Sequence, residues 1–237
     1  MKLFNFVAAL ALLASSSLHA QDVADNVRSN LEKILPANMP ITAIAESEMK
    51  NVYIVSVGTQ DMYVYSDGDF VLVGDVYDTV RQVSLGEERA NRKMSEALAS
   101  IPESEMILMG ADTGRYVTVF TDTDCVYCQR FHLTVQELQD RGLQVRYLMF
   151  PRAGIGSDSY REAVSVWCSE DQADAMTLAK AGGNVSPQSC ENPVEQQYKL
   201  GQEIGVRGTP TMILDTGEVI PGFVEPDDLL ARAGISQ

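Results

Sequence analysis

Two cysteines three positions apart follow a run of β-forming residues in the segment VFTDTDCVYCQRFH, residues 119–132. The β-forming run predicts a strand, and the residues from Cys125 onward are typical of a helix. A pair with this spacing can bind a metal, form a structural disulfide or exchange disulfides with other proteins. The fold must therefore bring a strand end and a helix start together at Cys125.

The N-terminus has the order of residues that is typical of a secretory signal peptide. Lys2 precedes an apolar run, and small residues follow up to Ala20. The apolar run is far shorter than the roughly 20 residues that a membrane-spanning helix needs. We therefore predict that residues 1–20 are a signal peptide cleaved near Ala20 and that the mature chain is soluble and exported, where disulfides persist. The alternative is a helix that anchors the chain in the membrane.

The chain carries a net charge of −15, which becomes −16 without residues 1–20 because these contain one lysine and no acidic residue. Such a chain would repel phosphate backbones, so we expect no nucleic-acid partner. One of the two histidines lies in the predicted signal peptide, which leaves His132 as the only imidazole of the mature chain. This argues against histidine-rich metal sites. We expect His132 to occupy a polar surface position rather than to take part in catalysis.

Residues 21–83 have the pattern of a small α+β domain. Apolar side chains fall on one helical stripe in residues 22–36, and a proline fits a stop soon after the helix. Runs rich in Val, Tyr and Ile follow between residues 52 and 78, with Asp67-Gly68 as a hairpin turn signal. The domain contains no cysteine and no obvious catalytic group, so we interpret it as a scaffold or an interaction surface. The helical stripe consists of Val23, Val27, Leu31, Ile34 and Leu35.

Residues 84–105 have the pattern of a linker helix between two domains. Ser84 and Glu87 form the sequence signature of a capping box at the helix start. An apolar stripe follows, and Pro102 closes the segment. We therefore predict a second domain over residues 106–237. The stripe consists of Met94, Ala97, Leu98 and Ile101.

The second domain has the layout strand–helix–strand, then several helices, then a hairpin and a closing helix. Residues 116–121 predict the first strand, Cys125 to about Arg141 the helix that Gly142 ends, and residues 143–150 the second strand. This layout, with a CxxC pair at the first strand–helix junction, is typical of an α/β thioredoxin-like fold with a helical insertion. The later elements are helical segments within residues 157–200, the strands TPTMIL and VIPG around a turn at Asp215–Glu218, and a helix from about Pro226.

The predicted helix start supplies chemistry for Cys125. Unpaired amide groups and the positive end of the helix dipole favour an anion there, so we expect the pKa of Cys125 to fall. Cys128 lies one turn later and can attack a mixed disulfide formed by Cys125. Asp122 and Asp124 would oppose formation of the Cys125 thiolate if they lie close to it.

Two other interpretations of the CxxC pair are weaker. Zinc normally takes four ligands, and the other candidates in the mature chain are Cys168, Cys190 and His132. A purely structural disulfide across so short a loop would constrain little chain entropy. We therefore favour a redox centre.

Thr209-Pro210 stands directly before a predicted strand. A proline at the first residue of a strand is compatible with a purely structural role. In thioredoxin-like folds this proline is cis and faces the CxxC pair, which would expose the backbone of Thr209 beside Cys125. An extended substrate segment could then pair with that backbone as an added strand.

The chain resembles the periplasmic thiol:disulfide interchange proteins of the DsbC/DsbG family. The resemblance implies a cystatin-like N-terminal dimerisation domain and a V-shaped homodimer with two CxxC sites that face a shared cleft. It also implies that Cys168 and Cys190 form a structural pair, and closing that loop of about 23 residues would stabilise the fold by roughly 3 kcal/mol. Two free thiols that relay electrons are the alternative for this pair. The matching segments are VFTDTDCVYCQRFH, FPRAGIGSDS, VWCSEDQADA, SCENPVEQQYKLGQEIGVRGTPTMIL and VIPGFVEPDDL.

The same resemblance implies roles for the site residues. Cys125 would be the attacking thiol and Cys128 its partner, and Thr209 with cis Pro210 would face the substrate. Val126 and Tyr127, between the cysteines, would contact substrate and tune the redox potential.

The resemblance favours a disulfide isomerase of the DsbC type. Its substrates would be mis-oxidised or misfolded exported proteins, and it would need no cofactor beyond the cysteine pair. A DsbD-like membrane thiol reductase would keep the pair reduced, and the dimer would also act as a chaperone. The alternatives are a DsbG-like reductase of oxidised single cysteines, a thiol oxidase, and a holdase chaperone without enzymatic activity.

Overall fold

The computed structural model describes residues 23–57 and 60–235, and the predicted signal peptide lies outside them. The chain divides into two compact units between Gly86 and Glu87. Within the described ranges, no helix is long and apolar enough to cross a membrane.

The first unit packs a helix on an antiparallel sheet. Residues 23–32 form the helix α1, and the four strands follow one another in sheet order β1-β2-β3-β4. Val27 and Leu31 of α1 are buried against Val55 and Val64 of the sheet, so the α+β prediction for this part of the chain is confirmed. The strands are β1 Ile41–Glu46, β2 Val52–Val57, β3 Gln60–Tyr65 and β4 Val71–Leu72, and a separate ribbon pairs β5 Tyr77–Asp78 with β6 Val83–Ser84.

Two details of the first unit differ from the sequence prediction. Ile34 is 69% exposed and does not belong to the buried stripe, because the chain leaves the helical conformation after residue 32. Strand β1 was not predicted, since its sequence ITAIAE lacks a run of β-branched and aromatic residues. The hairpin turn at Asp67-Gly68 is confirmed: Gly68 has a φ of +76° and donates its N–H to the Tyr65 carbonyl at 2.7 Å.

Helix α2, Leu85–Ala99, follows the ribbon. The Asp75 carboxylate accepts hydrogen bonds from the Ser84 hydroxyl and, at 2.9 Å, from the Gly86 N–H, which satisfies an amide at the helix start. Leu98 is buried in a core cluster of the second unit, as its place in the predicted apolar stripe requires. A short 3₁₀ helix, Glu103–Glu105, leads into the next strand.

The second unit is built on a five-stranded sheet in the order β11-β10-β8-β9-β7. Strands β8 and β9 are parallel and the other neighbours are antiparallel. Along β8, Val117 and Val119 pack in one core cluster and Phe120 in the other, so the central strand is buried on both faces. The strands are β7 Ile107–Met109, β8 Tyr116–Thr121, β9 Gln144–Met149, β10 Thr211–Leu214 and β11 Val219–Pro221.

Helices cover this sheet, and three of them lie in the chain between β9 and β10 as the predicted insertion. The thioredoxin-like layout is therefore confirmed, with β7 as an additional edge strand that was not predicted. The helices are α3 Val126–His132, α4 Val135–Asp140, α5 Asp158–Trp167, α6 Gln172–Lys180, α7 Val194–Glu203 and α8 Pro226–Arg232.

The single helix predicted from Cys125 to about Arg141 is wrong, because the structure has two. Helix α3 ends at His132, and α4 begins at Val135. The Thr134 hydroxyl donates to the Phe131 carbonyl at 2.8 Å, a side-chain hydrogen bond that competes with the helical pattern. The predicted end at Gly142 is confirmed, since this residue has a φ of +87° and follows α4.

Candidate active site

The cysteine pair lies where β8 gives way to α3. The Cys125 N–H donates to the Asp122 carbonyl at 3.2 Å, and Cys125 is the N-cap residue of α3. Cys125 and Cys128 are each 1% exposed, and both are free thiols. Val126 and Tyr127 between them are exposed. The site therefore presents an apolar dipeptide to solvent while both sulfur atoms are covered.

Thr209 is brought to Cys125 across the sheet, because β10 pairs with β8 and Thr211 lies opposite Phe120. The Thr209-Pro210 peptide bond is cis. The Cys125 thiol donates to the Thr209 carbonyl oxygen at 3.1 Å. In the described part of the chain, the Thr209 hydroxyl is buried without a hydrogen-bond partner. It is therefore available as a donor to sulfur once a thiolate forms.

The two thiols differ in acidity. Burial raises the pKa of Cys125, but hydrogen bonding from Thr209 and Cys128 and the positive charge of Arg152 outweigh this effect, so the pKa lies below its ordinary value. Burial also raises the pKa of Cys128, and here the opposing charge of Lys180 is not sufficient to lower it. This difference favours Cys125 as the thiolate and Cys128 as the protonated partner.

Asp122 does not act alone on the cysteine pair. Its buried carboxylate accepts hydrogen bonds from the backbone N–H and from Nε of Arg152, each at 2.9 Å. Arg152 Nη2 also donates to the Asp124 carbonyl at 3.3 Å. The opposition that Asp122 was expected to offer is therefore offset by a cation, and the charge of that cation lowers the pKa of Cys125.

His132 is buried, so the prediction of a polar surface position is wrong. Its Nδ1 lies 2.9 Å from the Tyr147 hydroxyl and its Nε2 lies 3.0 Å from Thr177 Oγ1. Because Thr177 Oγ1 donates to the Ala173 carbonyl, it accepts from Nε2–H, and Nδ1 accepts from Tyr147. Burial, together with the charge of Lys180, lowers the pKa of His132 to about 4. The ring is therefore neutral at pH 7.

Cys168 and Cys190 are joined in a disulfide with a Cα–Cα distance of 5.7 Å, the pairing that the family resemblance implied. Cys168 is the C-cap residue of α5. These sulfurs are bonded to each other, so as a disulfide they do not act as thiolate ligands of a zinc ion. Among residues 23–57 and 60–235, no three His, Cys, Asp or Glu side chains are grouped so as to hold a metal ion.

Comparison with known proteins relates both parts of the chain to one family. Residues 16–87 match the disulfide bond isomerase protein N-terminal domain, and residues 102–233 match the thioredoxin-like domain. The thiol:disulfide interchange protein DsbC of Salmonella typhimurium is 33% identical over 97% of this chain and 94% of its own length. The chain belongs to the DsbC family of thiol:disulfide interchange proteins.

Other members and a solved structure agree with this assignment. DsbC of Escherichia coli strain K12 is 32% identical over 92% of this chain and 90% of its own length. The crystal structure of a disulfide interchange protein from Neisseria gonorrhoeae is 27% identical, with a TM-score of 0.51 over 57% of this chain and 100% of that one. The predictions of a DsbC-type disulfide isomerase or reductase and of a thioredoxin-like domain are thereby confirmed.

Within this member of the family, sequence reasoning missed two cations at the cysteine pair. Arg152 lies in the segment FPRAGIGSDS, which resembles the family, but no local pattern in that segment places it near Cys125. Lys180 occupies a buried position of α6 next to Ala179 and one turn after Met176. A lysine on the apolar face of a predicted helix was the available signal.

Proposed function

We propose that this DsbC family member is a periplasmic disulfide isomerase that acts from the reduced Cys125–Cys128 pair. The observation that carries the proposal is the contact of Cys125 Sγ with Thr209, together with the lowered pKa of Cys125 and the raised pKa of Cys128. Cys125 is therefore a better nucleophile than Cys128 for attack on a non-native disulfide, because the thiolate is the attacking form.

The reaction begins when the Cys125 thiolate attacks one sulfur of a substrate disulfide. A bond forms between Cys125 and that sulfur, and the other substrate sulfur leaves as a thiolate. If this thiolate attacks a different disulfide of the substrate and Cys125 is finally displaced, the substrate is isomerised without net oxidation. If Cys128 attacks Cys125 Sγ instead, the cysteine pair is oxidised and the substrate disulfide is reduced.

Substrate would bind beside the exposed dipeptide between the cysteines. Val126 and Tyr127 offer an apolar surface, and the backbone of Thr209 next to Cys125 could pair with an extended segment. The chemistry needs no cofactor beyond the cysteine pair, because both electrons come from the two thiols.

The deciding experiment compares two directions of the same chemistry. In the first arm, the reduced protein is incubated with a substrate enzyme whose disulfides have been scrambled. In the second arm, the protein with its Cys125–Cys128 disulfide formed is incubated with the same substrate enzyme in its reduced, unfolded state. We expect faster recovery of activity from the scrambled substrate, and its loss in Cys125→Ser. Recovery that is unchanged in Cys125→Ser would exclude the proposal, and faster action on the reduced substrate would identify an oxidase. Reduction of a protein with a single sulfenylated cysteine tests the DsbG-like alternative.

The first unit would assemble with a second copy of the chain. Phe70 is 71% exposed, and it lines an apolar pocket with Met49, Val52, Tyr63 and Leu72. Strand β4 is at the edge of the described sheet, where another strand can add. An apolar patch with an adjacent edge strand is the kind of surface that homodimers bury.

The homodimer is tested by light scattering on the mature chain, on Phe70→Asp and on a variant without residues 21–83. We expect a dimer for the first and monomers for the other two. Leu133→Asp, which changes an exposed apolar residue of the second unit, is the matched control and should stay dimeric. A dimeric mass for the truncated variant would place the interface elsewhere.

Chaperone activity would accompany the isomerase. It predicts that a variant with Cys125→Ser and Cys128→Ser still suppresses aggregation of an unfolded protein, because apolar contacts do not require thiols.

A signal peptide that is cleaved near Ala20 predicts that the exported protein begins at Gln21. The mass of the protein isolated from the periplasm tests this. A DsbD-like membrane thiol reductase would keep the cysteine pair reduced. In cells, Cys128→Ser should trap a mixed disulfide between Cys125 and this reductase, because the residue that breaks such a disulfide is absent.

A further inference from the structure

Lys180 is a buried cation next to the cysteine pair. The residue is 4% exposed and lies at the end of α6. Its Nζ donates to Thr121 Oγ1 at 2.8 Å and to the Asp122 carbonyl oxygen at 2.7 Å. Both acceptors are uncharged groups at the end of β8. Burial of an ammonium group is costly when its hydrogen-bond acceptors are neutral, so a negative charge that forms nearby during the reaction would stabilise it.

Cys128 is the group that can supply this charge. Burial raises the pKa of Cys128, and the charge of Lys180 is the foremost influence that opposes the rise, followed by hydrogen bonding from the Asp122 backbone and from the Thr121 side chain. Thr121 and Asp122, the two residues that accept hydrogen bonds from Lys180, thus also act on Cys128. The Lys180 ammonium and the Cys128 thiol are therefore both buried, and both interact with Thr121.

The Cys128 thiolate in turn stabilises the charged form of Lys180. Burial lowers the pKa of Lys180, and the groups that work against this are first Cys128, then Asp122, Cys125 and Glu162. Lys180 and the Cys128 thiolate therefore each stabilise the charged form of the other. The titratable groups around these two residues are Cys125, Asp122, Arg152, His132, Tyr147 and Glu162.

We propose that Lys180 is a positioning residue for the second half of the exchange, where its ammonium stabilises the Cys128 thiolate that breaks the mixed disulfide. In that step Cys128 gives its proton to solvent and its thiolate attacks Cys125 Sγ. The Cys125–Cys128 bond forms, the bond from Cys125 to the substrate sulfur breaks, and the substrate leaves as a thiolate that takes up a proton. Two electrons pass from the cysteine pair to the substrate. Lys180 thus favours release of the substrate as a thiol, and the inference rests on the function proposed above.

An aromatic disulfide such as Ellman's reagent separates the two steps on the reduced, mature protein. Attack by Cys125 releases one coloured thiolate, and attack by Cys128 on the resulting mixed disulfide releases a second. For Lys180→Met we expect the first phase to stay within about twofold of the unaltered protein and the second to slow by about tenfold at pH 7. The midpoint of the second phase in a rate–pH profile should move to higher pH, which a purely structural role would not produce.

Lys199→Met is the matched control, since it removes a lysine that is exposed on α7, and it should change neither phase. Thr121→Val is the second variant: it removes one of the two groups that hold the ammonium, and it should slow the second phase while it spares the first. A folded Lys180→Met or Thr121→Val protein with an unchanged second phase would overturn the proposal. Equal slowing of both phases without a shifted pH profile would do the same. Absence of the first phase from the unaltered protein would instead count against Cys125 as the nucleophile.

Discussion

The Asp122 carboxylate accepts two hydrogen bonds from Arg152, one from the backbone N–H and one from Nε, each at 2.9 Å. The Asp122 side chain is buried, whereas that of Arg152 is about half exposed. The buried acid therefore holds a cation at the rim of the site, where its charge acts on Cys125. An acidic residue next to a nucleophilic thiol thus serves to place a positive charge.

Arg152→Gln is expected to make Cys125 less reactive. Without the cation, the pKa of Cys125 rises and the thiolate fraction at neutral pH falls, so the rate of alkylation by iodoacetamide at pH 7 should drop by about two- to tenfold. The control is Arg161→Gln, which removes an exposed arginine that pairs with Asp158 on α5. Equal rates for Arg152→Gln and the unaltered protein would show that the Arg152 charge is screened by solvent.

Thr209→Val is expected to separate stability from reactivity. The Thr209 hydroxyl is buried without a partner in the described structure, so its removal should leave the free energy of unfolding unchanged or raise it by about 1 kcal/mol. Because hydrogen bonding from Thr209 lowers the pKa of Cys125, alkylation at pH 7 should slow by roughly threefold. Urea unfolding and alkylation kinetics measure the two effects, and Thr209→Ser, which keeps the hydroxyl, should restore reactivity.

The stability of the protein should depend on His132 as the pH falls. The pKa of His132 is about 4 in the folded protein and about 6.5 in an unfolded chain, so the unfolded state takes up the proton first. The contribution is therefore complete above pH 6.5 and is lost as the pH falls from 6.5 to 4, by about 2–3 kcal/mol.

Denaturant unfolding of the mature chain between pH 7.5 and 4 measures this loss. In His132→Gln the same curve should be shallower by that amount, with carboxyl groups responsible for what remains. Parallel curves for the two proteins would mean that the imidazole is solvated and titrates normally in the folded state.

Removal of the Cys168–Cys190 disulfide should weaken the fold and leave the exchange chemistry intact. The bond closes a loop with a sequence separation of 22, and replacement of both cysteines by serine should cost roughly 3 kcal/mol of stability. Thermal unfolding measures the cost, and the release of two equivalents from Ellman's reagent by the reduced protein measures the chemistry. Loss of the second equivalent in the folded variant would assign these cysteines a redox role.

Local sequence patterns were sufficient for several single features of both units. The run that became β8, the turn at Asp67-Gly68 and the helix end at Gly142 each depend on residues that are neighbours in the chain. Two edge strands were missed, because the sequence of β1 lacks a run of β-branched and aromatic residues and the three residues of β7 leave too little alternation to detect. The break between α3 and α4 was also missed, since it depends on where the Thr134 side chain directs its hydrogen bond.

The sequence by itself determined the kind of chemistry: a CxxC pair at a strand–helix junction and a Thr-Pro before a later strand. The tertiary structure decided which groups tune that chemistry. Thr209 lies 84 positions from Cys125, Arg152 lies 30 positions from Asp122, and Lys180 lies 59 positions from Thr121. Electrostatic effects depend on distance and burial, and packing alone brings these separate segments together.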